Sequence, residues 1–516
     1  MPSPTPNKNI YQNWRPFFVF LCLYFIAWSI FPAFISSSVP LDVSEGISWG
    51  SEWEWGYYKH PPFSSWVLYS FYQIFGHIGP YLLSQLYVLL TLYLVYQLGK
   101  KVWSQEIALL GSVLTLAVLY YSYPSLEFNH NVAQFPIWAG LYLAFYQSLT
   151  TNRLRDWILL GVLGGLGMLT KYTVIFLLIP MALYLVLPKQ WYLLKQPKPW
   201  IAVFIMLAIF SPHLYWLITH DWLPLSYANG RSLEVDNATY SIKRHFSWIG
   251  FITAQLVAHI LLIVMLIVNR KRLVSIKEYK HNLSNNASLL WYMWLSPIAV
   301  LVALSLVFGV GLRDMWGMPM WALSGMIAAS FIAPATQLLT ATKLRKALII
   351  WLSLVTVLMI VYVGFGDKIR HKPSRMQWPE QALATQAQET WQSLSSCTLD
   401  SVSGDRWLGS LVTINSHFPS QMISGPASHS PWMSVERLQK NGTLVMWRDG
   451  EQDMMLPLLN NVKIMTANEA VSSNKNMTGL VKQEGQWQLD WRDSKVDKPL
   501  IINWVAYVPS HCFKLS

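Results

Sequence analysis

Long runs of hydrophobic residues, separated by short polar segments, fill the first 366 residues of the chain. A helix needs about 20 mostly apolar residues to cross the hydrocarbon core of a bilayer. Candidate runs are centred in 17–37, 80–99, 106–123, 131–149, 157–170, 173–188, 200–219, 249–268, 289–309, 316–335 and 347–365. The pattern predicts a polytopic α-helical membrane protein with about eleven transmembrane helices.

The pattern becomes mixed after Phe365, where polar residues and turn formers interrupt shorter apolar segments. Glu380 to Leu394 has the spacing of an amphipathic helix. Strands are predicted at Ser410 to Ile414, Gly442 to Trp447 and Ile501 to Tyr507. We therefore expect two domains, a transmembrane domain in 1–366 with its first outer loop at 38–79, and an extracytoplasmic α/β domain in 367–516.

Composition supports a membrane location. The chain is 53% hydrophobic and only 12% charged, whereas globular chains carry about 25% charged residues. The net charge of +12 comes from short basic clusters between the apolar runs, such as Lys100-Lys101 and Arg270-Lys271-Arg272, which is the pattern of cytoplasmic loops. Nucleic acid is therefore not an expected partner. The alternation of basic connections predicts a cytoplasmic N-terminus and a C-terminal domain outside the cytoplasm.

The chain has three cysteines, and Cys22 lies inside the first apolar run. Cys397 and Cys512 flank the C-terminal domain. If that domain lies outside the cytoplasm, the two could form one disulfide. Spacing alone does not prove that they pair.

The loop after the first apolar run, here called the acid loop, is rich in acids and tryptophans. It reads LDVSEGISWGSEWEWGYYKHPPFSSW over residues 41–66. Asp42 and Glu45 are three positions apart, so their side chains share a face if the loop begins as a helix. An unpaired carboxylate beside the membrane is suited to accept a proton from an attacking hydroxyl or amine. The alternative is that both acids are solvated caps of a juxtamembrane helix.

Two lysines stand out among the basic residues. Lys59 and His60 precede two prolines, which fix the backbone. The Lys59-His60 pair could therefore bind a phosphate. Alternatively, the segment could be a helix stop with an interfacial lysine. Lys171 separates two apolar half-spans, where a lysine costs about 2.5 kcal/mol or more. It therefore has a partner or lines a wet cavity, unless it reaches the outer surface by snorkelling.

Three further polar segments fall on the predicted outer side, namely Asn129-His130, His213 and Arg313-Asp314. An arginine at a helix mouth can hold a phosphate through two hydrogen bonds. The alternative for Arg313 is a local ion pair with Asp314. No group of histidines and acids has the spacing of metal ligands, so no metal is expected to be required.

The order of these motifs resembles the family 39 branch of the GT-C superfamily of glycosyltransferases. The matching segments are the acid loop, GYYKHPP, EFNHN, GMLTKYT, SPHLYWL and RDMWGMPMW, and they span most of residues 15–370. The branch includes the aminoarabinose transferase that modifies lipid A, the protein O-mannosyltransferases and bacterial lipopolysaccharide sugar transferases. Where several relatives have Lys-Pro-Pro, this chain has His60-Pro61-Pro62 after Lys59.

The resemblance implies transfer of a sugar, with inversion, from a polyprenyl-phosphate donor on the periplasmic face of the bacterial inner membrane. The expected acceptor is lipid A, lipopolysaccharide core or another glycan, and a divalent metal is possible but not required. The general base would be Asp42 or Glu45. The implied phosphate-binding residues are Lys59, His60, Lys171 and Arg313. The implied pocket residues are Tyr58, Asn129, His130, Tyr172, His213 and Asp314.

A transporter or flippase of lipid-linked sugars is the main alternative of another class. Such a protein would share the basic clefts and the many spans. Transporters often contain internal repeats with broken helices in corresponding halves. No such symmetry is visible in the sequence, which favours the transferase.

Overall fold

The computed structural model of the chain describes residues 8–233, 242–275, 278–279, 285–333, 336–370, 373–450, 456–466, 469, 479–491 and 499–514. In chain order the helices begin with α1 (Lys8–Ile35), α2 (Leu41–Glu52), α3 (Phe63–Phe75), α4 (Gly79–Val102), α5 (Gln105–Leu114), α6 (Phe135–Thr151), α7 (Leu154–Thr170), α8 (Ile175–Val186), α9 (Trp191–Leu194) and α10 (Pro197–Thr219). They continue with α11 (Leu223–Leu233), α12 (Ser247–Ala258), α13 (Ile260–Val268), α14 (Asn285–Phe308), α15 (Ser324–Ser330), α16 (Gln337–Arg370), α17 (Glu380–Leu394), α18 (Arg406–Asn415) and α19 (Val435–Asn441).

Several helices are long and apolar enough to cross a membrane, which makes the chain a multi-pass membrane protein. Within the described residues, five segments pass this test by length and composition, and up to seven pass if each of two bent pairs counts as one span. The five are Trp14–Ile35, Phe63–Val102, Pro197–Thr219, Asn286–Phe308 and Gln337–Gly366. The predicted number of eleven is therefore not confirmed.

The predicted runs that differ from straight spans have identifiable breaks. The run at 106–123 is bent by 90° between Gln105–Ala117 and Leu119–Leu126, and the run at 249–268 is bent by 56° next to His259. The run at 316–335 forms a 3₁₀ segment, Asp314–Leu323, followed by the short helix α15. Pro319 lies inside that segment, and proline has no N–H to continue an α-helical ladder.

The chain divides into two compact units. The first, here called the helical unit, comprises Met1–Phe31, Tyr81–Trp216 and Leu225–Met359. Close helix packing in this unit depends on glycines of α7, as their position in an apolar helix predicts. A Cβ atom at Gly161 would lie 2.4 Å from the carbonyl oxygen of Ala202 in α10. Only glycine allows α7 and α10 to approach so closely.

The second unit, here called the sheet unit, comprises Pro32–Pro80, Leu217–Pro224 and Ile360–Ser516. It contains both the acid loop and the C-terminal part of the chain. Its strands are β1 (Ser401–Gly404), β2 (Ser420–Ile423), β3 (Thr443–Arg448), β4 (Ile464–Met465), β5 (Leu480–Leu489) and β6 (Leu500–Pro509). They form one mixed sheet in the order β2-β1-β3-β6-β5-β4.

Pairing within the sheet is parallel at both edges, where β4 pairs with β5 and β1 with its neighbours, and antiparallel around β6. β1 runs parallel to both β2 and β3, while β6 is antiparallel to β3 and to β5. A disulfide joins Cys397 and Cys512. The C-terminal part is thus a sheet with helices, in agreement with the expected α/β class.

Two of the three predicted strands are confirmed as β3 and β6, and the predicted helix from Glu380 to Leu394 is α17. The strand predicted at Ser410 to Ile414 is wrong, because this segment belongs to helix α18. The carboxylate of Asp405 caps that helix by accepting hydrogen bonds from the backbone N–H groups of Trp407 and Leu408, at 2.8 and 3.0 Å. The β-branched residues favoured a strand, but an aspartate cap and apolar residues three and four apart stabilise the helix.

Candidate active site

Helix α2 carries the two acids that the sequence singled out. Pro40, with extended backbone angles, precedes the helix, and Trp53 ends it in the left-handed conformation at φ 52°. Asp42 lies in the first turn and is exposed, whereas Glu45 is only 5% exposed. The helical spacing places the two acids on one side of α2, as the sequence predicted.

Glu45 forms a buried ion pair with Lys59. The distance from Lys59 Nζ to Glu45 Oε1 is 2.6 Å, and the lysine is 6% exposed. The ammonium group also lies over the rings of Trp49 and Tyr58, at 5.4 and 5.0 Å from their centroids. Burial lowers the pKa of Lys59, while Glu45 opposes this effect. The sequence suggested an unpaired carboxylate, and for Glu45 this is wrong because Lys59 folds back onto it.

A tight turn holds Lys59 in this position. The backbone N–H of Tyr57 donates to the carbonyl of His60 at 3.0 Å, and the N–H of His60 donates back to Tyr57 at 3.2 Å. Pro61 and Pro62 follow and lead into α3. The ring of His60 lies 6.4 Å from that of Trp49. The turn therefore directs Lys59 toward α2.

Residues of the C-terminal part surround α2 within the sheet unit. Arg406 Nη1 lies 3.8 Å from Glu45 Oε1, and the arginine side chain is nearly half exposed. The hydroxyl of Ser48 donates to Gln421 Oε1 at 3.0 Å, and Gln421 Nε2 donates to the carbonyl of Arg406 at 2.8 Å. The hydroxyls of Ser44 and Ser410 are 2.8 Å apart. These bonds fix α2, here called the acid helix, against α18 and β2.

His429 is a further neighbour that the sequence did not reveal. Its ring stacks on Tyr58 with a centroid distance of 4.4 Å. Burial and the positive charge of Lys59 both lower the pKa of His429, so the imidazole is mainly neutral near pH 7. Arg406, Gln421 and His429 belong to no motif, and only tertiary folding brings them to α2 and to the turn that contains Tyr58.

The helical unit contains the second group of predicted residues, built around Lys171. This lysine is 8% exposed and sits where α7 ends, with extended backbone angles. Its ammonium group donates to Oδ1 of Asn131. Its carbonyl accepts a hydrogen bond of 2.6 Å from Gln134 Nε2, and Gln134 Oε1 accepts from the hydroxyl of Thr173 at 2.9 Å. Lys171 therefore has a polar partner inside the unit, as its cost in an apolar segment requires.

Asn129 and His130 lie on the turn that leads into this network. Asn129 Oδ1 accepts hydrogen bonds from the backbone N–H groups of Asn131 and Val132, at 2.9 and 3.3 Å. His130 is buried. Asn129 thus has a local structural function, because it holds the turn that presents Asn131 to Lys171.

Tyr172 and His213 are in direct contact. The hydroxyl of Tyr172 lies 2.6 Å from Nε2 of His213, and the two rings are stacked. His213 is completely buried in α10. The residue next to Lys171 is thereby fixed against a second helix of the same unit.

Arg313 is half-buried and directly precedes the 3₁₀ segment Asp314–Leu323. The hydroxyls of Tyr121 and Tyr142 donate to carbonyls in this segment at 3.2 and 3.1 Å. The side chain of Asp314 is exposed, and its carbonyl accepts from Gln255 at 3.1 Å. The segment also contacts the 3₁₀ turn that contains Gln134, so it lies in the same part of the helical unit as the Lys171 network.

The predicted site residues thus form two groups. Asp42, Glu45, Tyr58, Lys59 and His60 belong to the sheet unit, and Asn129, His130, Lys171, Tyr172, His213, Arg313 and Asp314 belong to the helical unit. Within the described residues, one group of potential metal ligands is found, Cys397, His511 and Cys512, and the disulfide occupies two of its three ligand atoms. The functional roles of these residues stay predictions.

The sequence is similar to one protein family and to two individual glycosyltransferases. Residues 59–216 match the family of dolichyl-phosphate-mannose-protein mannosyltransferases. The lipopolysaccharide core galacturonosyltransferases RgtB and RgtA of Rhizobium johnstonii are 26% and 27% identical to the chain, over 59% and 38% of its length. The matches span 62% and 40% of the lengths of these relatives.

The fold is similar to that of ArnT from Cupriavidus metallidurans. The crystal structure of ArnT bound to undecaprenyl phosphate superposes with a TM-score of 0.58 at 14% identity, over 95% of this chain and 98% of ArnT. The apo structure gives a TM-score of 0.59 at 13% identity, over 96% and 98%. The chain therefore has an ArnT-like fold, and part of its sequence is similar to the mannosyltransferase family and to the two galacturonosyltransferases.

Proposed function

We propose that the chain is an inverting glycosyltransferase of the bacterial inner membrane that moves a sugar from polyprenyl phosphate to a lipopolysaccharide glycan or lipid A on the periplasmic face. The observation that carries the proposal is the acid helix, where exposed Asp42 stands beside the buried Glu45–Lys59 pair. The donor class is suggested by ArnT, whose structure contains undecaprenyl phosphate. The acceptor class is suggested by the two sequence relatives, whose names include lipopolysaccharide core.

Asp42 is the proposed general base. In the reaction the bond between the sugar C1 and the phosphate oxygen breaks, the acceptor oxygen bonds to C1 from the opposite face, and the acceptor proton passes to the carboxylate. Asp42 is exposed and so can reach an incoming acceptor, whereas Glu45 is buried against Lys59. General bases contribute about 10²–10⁴-fold to a rate.

Glu45 is the proposed anchor of Lys59. The negative charge on the phosphate leaving group grows as the glycosidic bond breaks, and fixed cations stabilise it. Lys59 and His60 are the candidates in the sheet unit, and Lys171 and Arg313 are the candidates in the helical unit. Tyr58, Asn129, His130, Tyr172, His213 and Asp314 are the proposed pocket residues. The 2.6 Å ion pair and the stacked Tyr58–His429 pair keep Lys59 ordered without substrate.

A metal ion is not required in this proposal. The donor arrives already activated as a phosphate ester, and protein cations can stabilise the leaving group. Treatment of the purified enzyme with EDTA is therefore expected to leave the transfer rate unchanged. A loss of activity that Mg²⁺ or Mn²⁺ restores would contradict this part of the proposal.

The decisive experiment is mass spectrometry of membrane glycolipids from cells that lack the gene, cells that express the wild-type chain, and cells that express Asp42→Asn. We expect a sugar-sized mass increase on a lipopolysaccharide component with the wild type. Asp42→Asn should reduce that product at least a hundredfold, because it removes the base. Equal amounts of the membrane protein must be present in both strains.

Asp490→Asn is the matched control, since Asp490 is an exposed aspartate of the same unit. It should leave the product unchanged. Full transfer by Asp42→Asn would refute the assignment of the base. If the wild type changes the distribution of the lipid-linked donor between the two leaflets without forming product, the chain is a flippase instead.

A further inference from the structure

The sheet unit contains a cavity that the proposed reaction does not use. Its volume is about 430 Å³, within the range of small-molecule sites. Its lining residues are Ala33, Phe34, Ser36, Ser37, Tyr72, His77, Glu380, Gln381 and Asn415. The lining combines apolar side chains with hydroxyl, amide, imidazole and carboxylate groups, so it suits an amphipathic ligand.

Glu380 is the most deeply buried charged group of this cavity, at 3% exposure. Its Oε2 atom accepts a hydrogen bond of 3.1 Å from the backbone N–H of Val39, and the side chains of Ser38 and Asn415 also hydrogen-bond to the carboxylate. All three of these partners are neutral groups. Its Oε1 atom lies 3.7 Å from Nδ1 of His77, which is beyond hydrogen-bond distance. A buried carboxylate is costly unless a donor or a cation compensates it. The cavity therefore offers a strong acceptor for a ligand ammonium group.

The neighbouring backbone is fixed around this carboxylate. The N–H of Ser37 donates to the carbonyl of Met376 at 2.9 Å. Gln381 Nε2 donates to Asn415 Oδ1 at 2.6 Å, and the hydroxyl of Tyr72 donates to the carbonyl of Ile414 at 3.2 Å. The cavity is thus a built site whose walls are held by their own hydrogen bonds.

Two candidate membrane spans contribute residues to the lining of the cavity. Phe34 belongs to the last turn of α1, at the end of the candidate span Trp14–Ile35, and it is 69% exposed. Tyr72 and His77 precede α4 inside the candidate span Phe63–Val102. A ligand that reaches Glu380 past Phe34 would therefore have an apolar part next to the exposed Phe34 ring and a polar head in the cavity.

We propose that this cavity binds the headgroup of a membrane lipid that carries a primary amine, with the ammonium group on Glu380 and the lipid chains along Phe34. The more exposed imidazole of His77 would face the lipid phosphate. An ammonium–carboxylate contact is a charge-assisted hydrogen bond, which is about twice as strong as a neutral one. The site is independent of the transfer reaction, so the two proposals can fail separately.

Native mass spectrometry of the detergent-purified full chain tests whether the cavity binds an amine-bearing lipid. The probes are phosphatidylethanolamine and phosphatidylcholine with identical acyl chains. Choline has no N–H donor, so we expect the ethanolamine lipid to bind about tenfold more tightly, a difference of about 1.4 kcal/mol. Glu380→Gln keeps an oxygen for the N–H of Val39 but removes the charge, and it should abolish the preference. Glu389→Gln, an exposed glutamate of the same helix, should preserve it.

One further variant and one competing ligand complete the test. Phe34→Ala alters an exposed side chain and leaves Glu380 in place, so it should weaken binding of the ethanolamine lipid even if Glu380→Gln does not fold. Free phosphoethanolamine should compete poorly, because it has no chains. Equal binding of the two lipids to the wild type, or a preference that survives in Glu380→Gln, would refute the site. Equal binding of free phosphoethanolamine would refute the lipid as its ligand.

Discussion

Glu45 and Glu380 belong to the same unit and are almost equally buried, at 5% and 3% exposure, but they have different surroundings. Glu45 has an ammonium group at 2.6 Å and a guanidinium group at 3.8 Å. Glu380 has neutral hydrogen-bond partners, the N–H of Val39 at 3.1 Å and the side chains of Ser38 and Asn415, and an imidazole at 3.7 Å. Burial raises the pKa of Glu380 to about 7. The comparison teaches that the partners of a buried carboxylate, rather than its depth, determine what it can do.

The largest expected effect concerns the ion pair of Glu45. Lys59→Met leaves that carboxylate buried without its closest cation, and loss of one partner of a buried pair costs about 3–5 kcal/mol. We expect a loss of that size in the free energy of unfolding, measured by chemical denaturation in detergent, together with loss of sugar transfer.

The double variant Lys59→Met with Glu45→Gln separates stability from catalysis. It removes both charges, so it should recover most of the stability but none of the transfer. If Lys59→Met alone is as stable as the wild type, the pair is not an important part of the acid helix.

The next largest effect is a pH dependence of the free energy of unfolding, caused by Glu380. Its pKa rises from 4.5 in the unfolded chain to about 7 in the folded chain, so the folded chain retains a proton that the unfolded chain releases. The free energy of unfolding should therefore fall as the pH rises from about 4.5 to about 7, by about 3 kcal/mol in total. Thermal unfolding in detergent without added lipid measures this decrease.

Glu380→Gln is the variant that isolates this contribution. It should make stability less dependent on pH in that interval and raise stability at pH 8, because no buried charge remains. Glu389→Gln should follow the wild-type curve. Identical curves for Glu380→Gln and the wild type would contradict the raised pKa.

A smaller effect is expected from Arg406, which we consider a positioning residue because it contacts Glu45. Arg406→Gln should lower kcat about tenfold, equivalent to about 1.4 kcal/mol, with little change in KM. The pH at which activity falls on the acid side should also move upward. Arg406→Lys keeps the charge and should restore most of both properties, whereas an unchanged pH profile in Arg406→Gln would exclude the role.

The smallest effect concerns the bonds that hold the acid helix. Ser48→Ala removes the hydrogen bond to Gln421, and one neutral hydrogen bond contributes about 1 kcal/mol. We expect a loss of that size in stability and a modest loss of transfer. Ser51→Ala removes a bond within the same helix, to the carbonyl of Ser48, and should leave transfer unchanged.

Local patterns in the sequence were sufficient for several features. The run at 17–37 and the polar composition after Phe365 predicted α1 and the sheet-containing C-terminal part. The spacing of Asp42 and Glu45 predicted a common side of one helix. The position of Lys171 predicted a break between two apolar segments and a polar partner. Each of these follows from hydrophobicity, helical period or the cost of a buried charge, which are properties of neighbouring residues.

Other features depended on contacts between distant parts of the chain. The run at 316–335 has the composition of a span, but it folds into a 3₁₀ segment and a short helix whose carbonyls bind tyrosines of other elements. The segment from Ser410 to Ile414 looks like a strand, but it packs as a helix against α2. Arg406 and His429 reach the acid loop although no motif connects them with it.

The sequence by itself determined the membrane class of the protein, the resemblance to the GT-C superfamily and the identity of the acid loop, because hydropathy and short motifs depend on residues that are close along the chain. Only the tertiary structure decided that Glu45 is paired with Lys59 and that Glu380 is buried beside His77. Both outcomes depend on which distant parts of the chain bury a carboxylate and which groups they bring within a few ångströms of it, since burial and nearby partners together determine the charge of an acid.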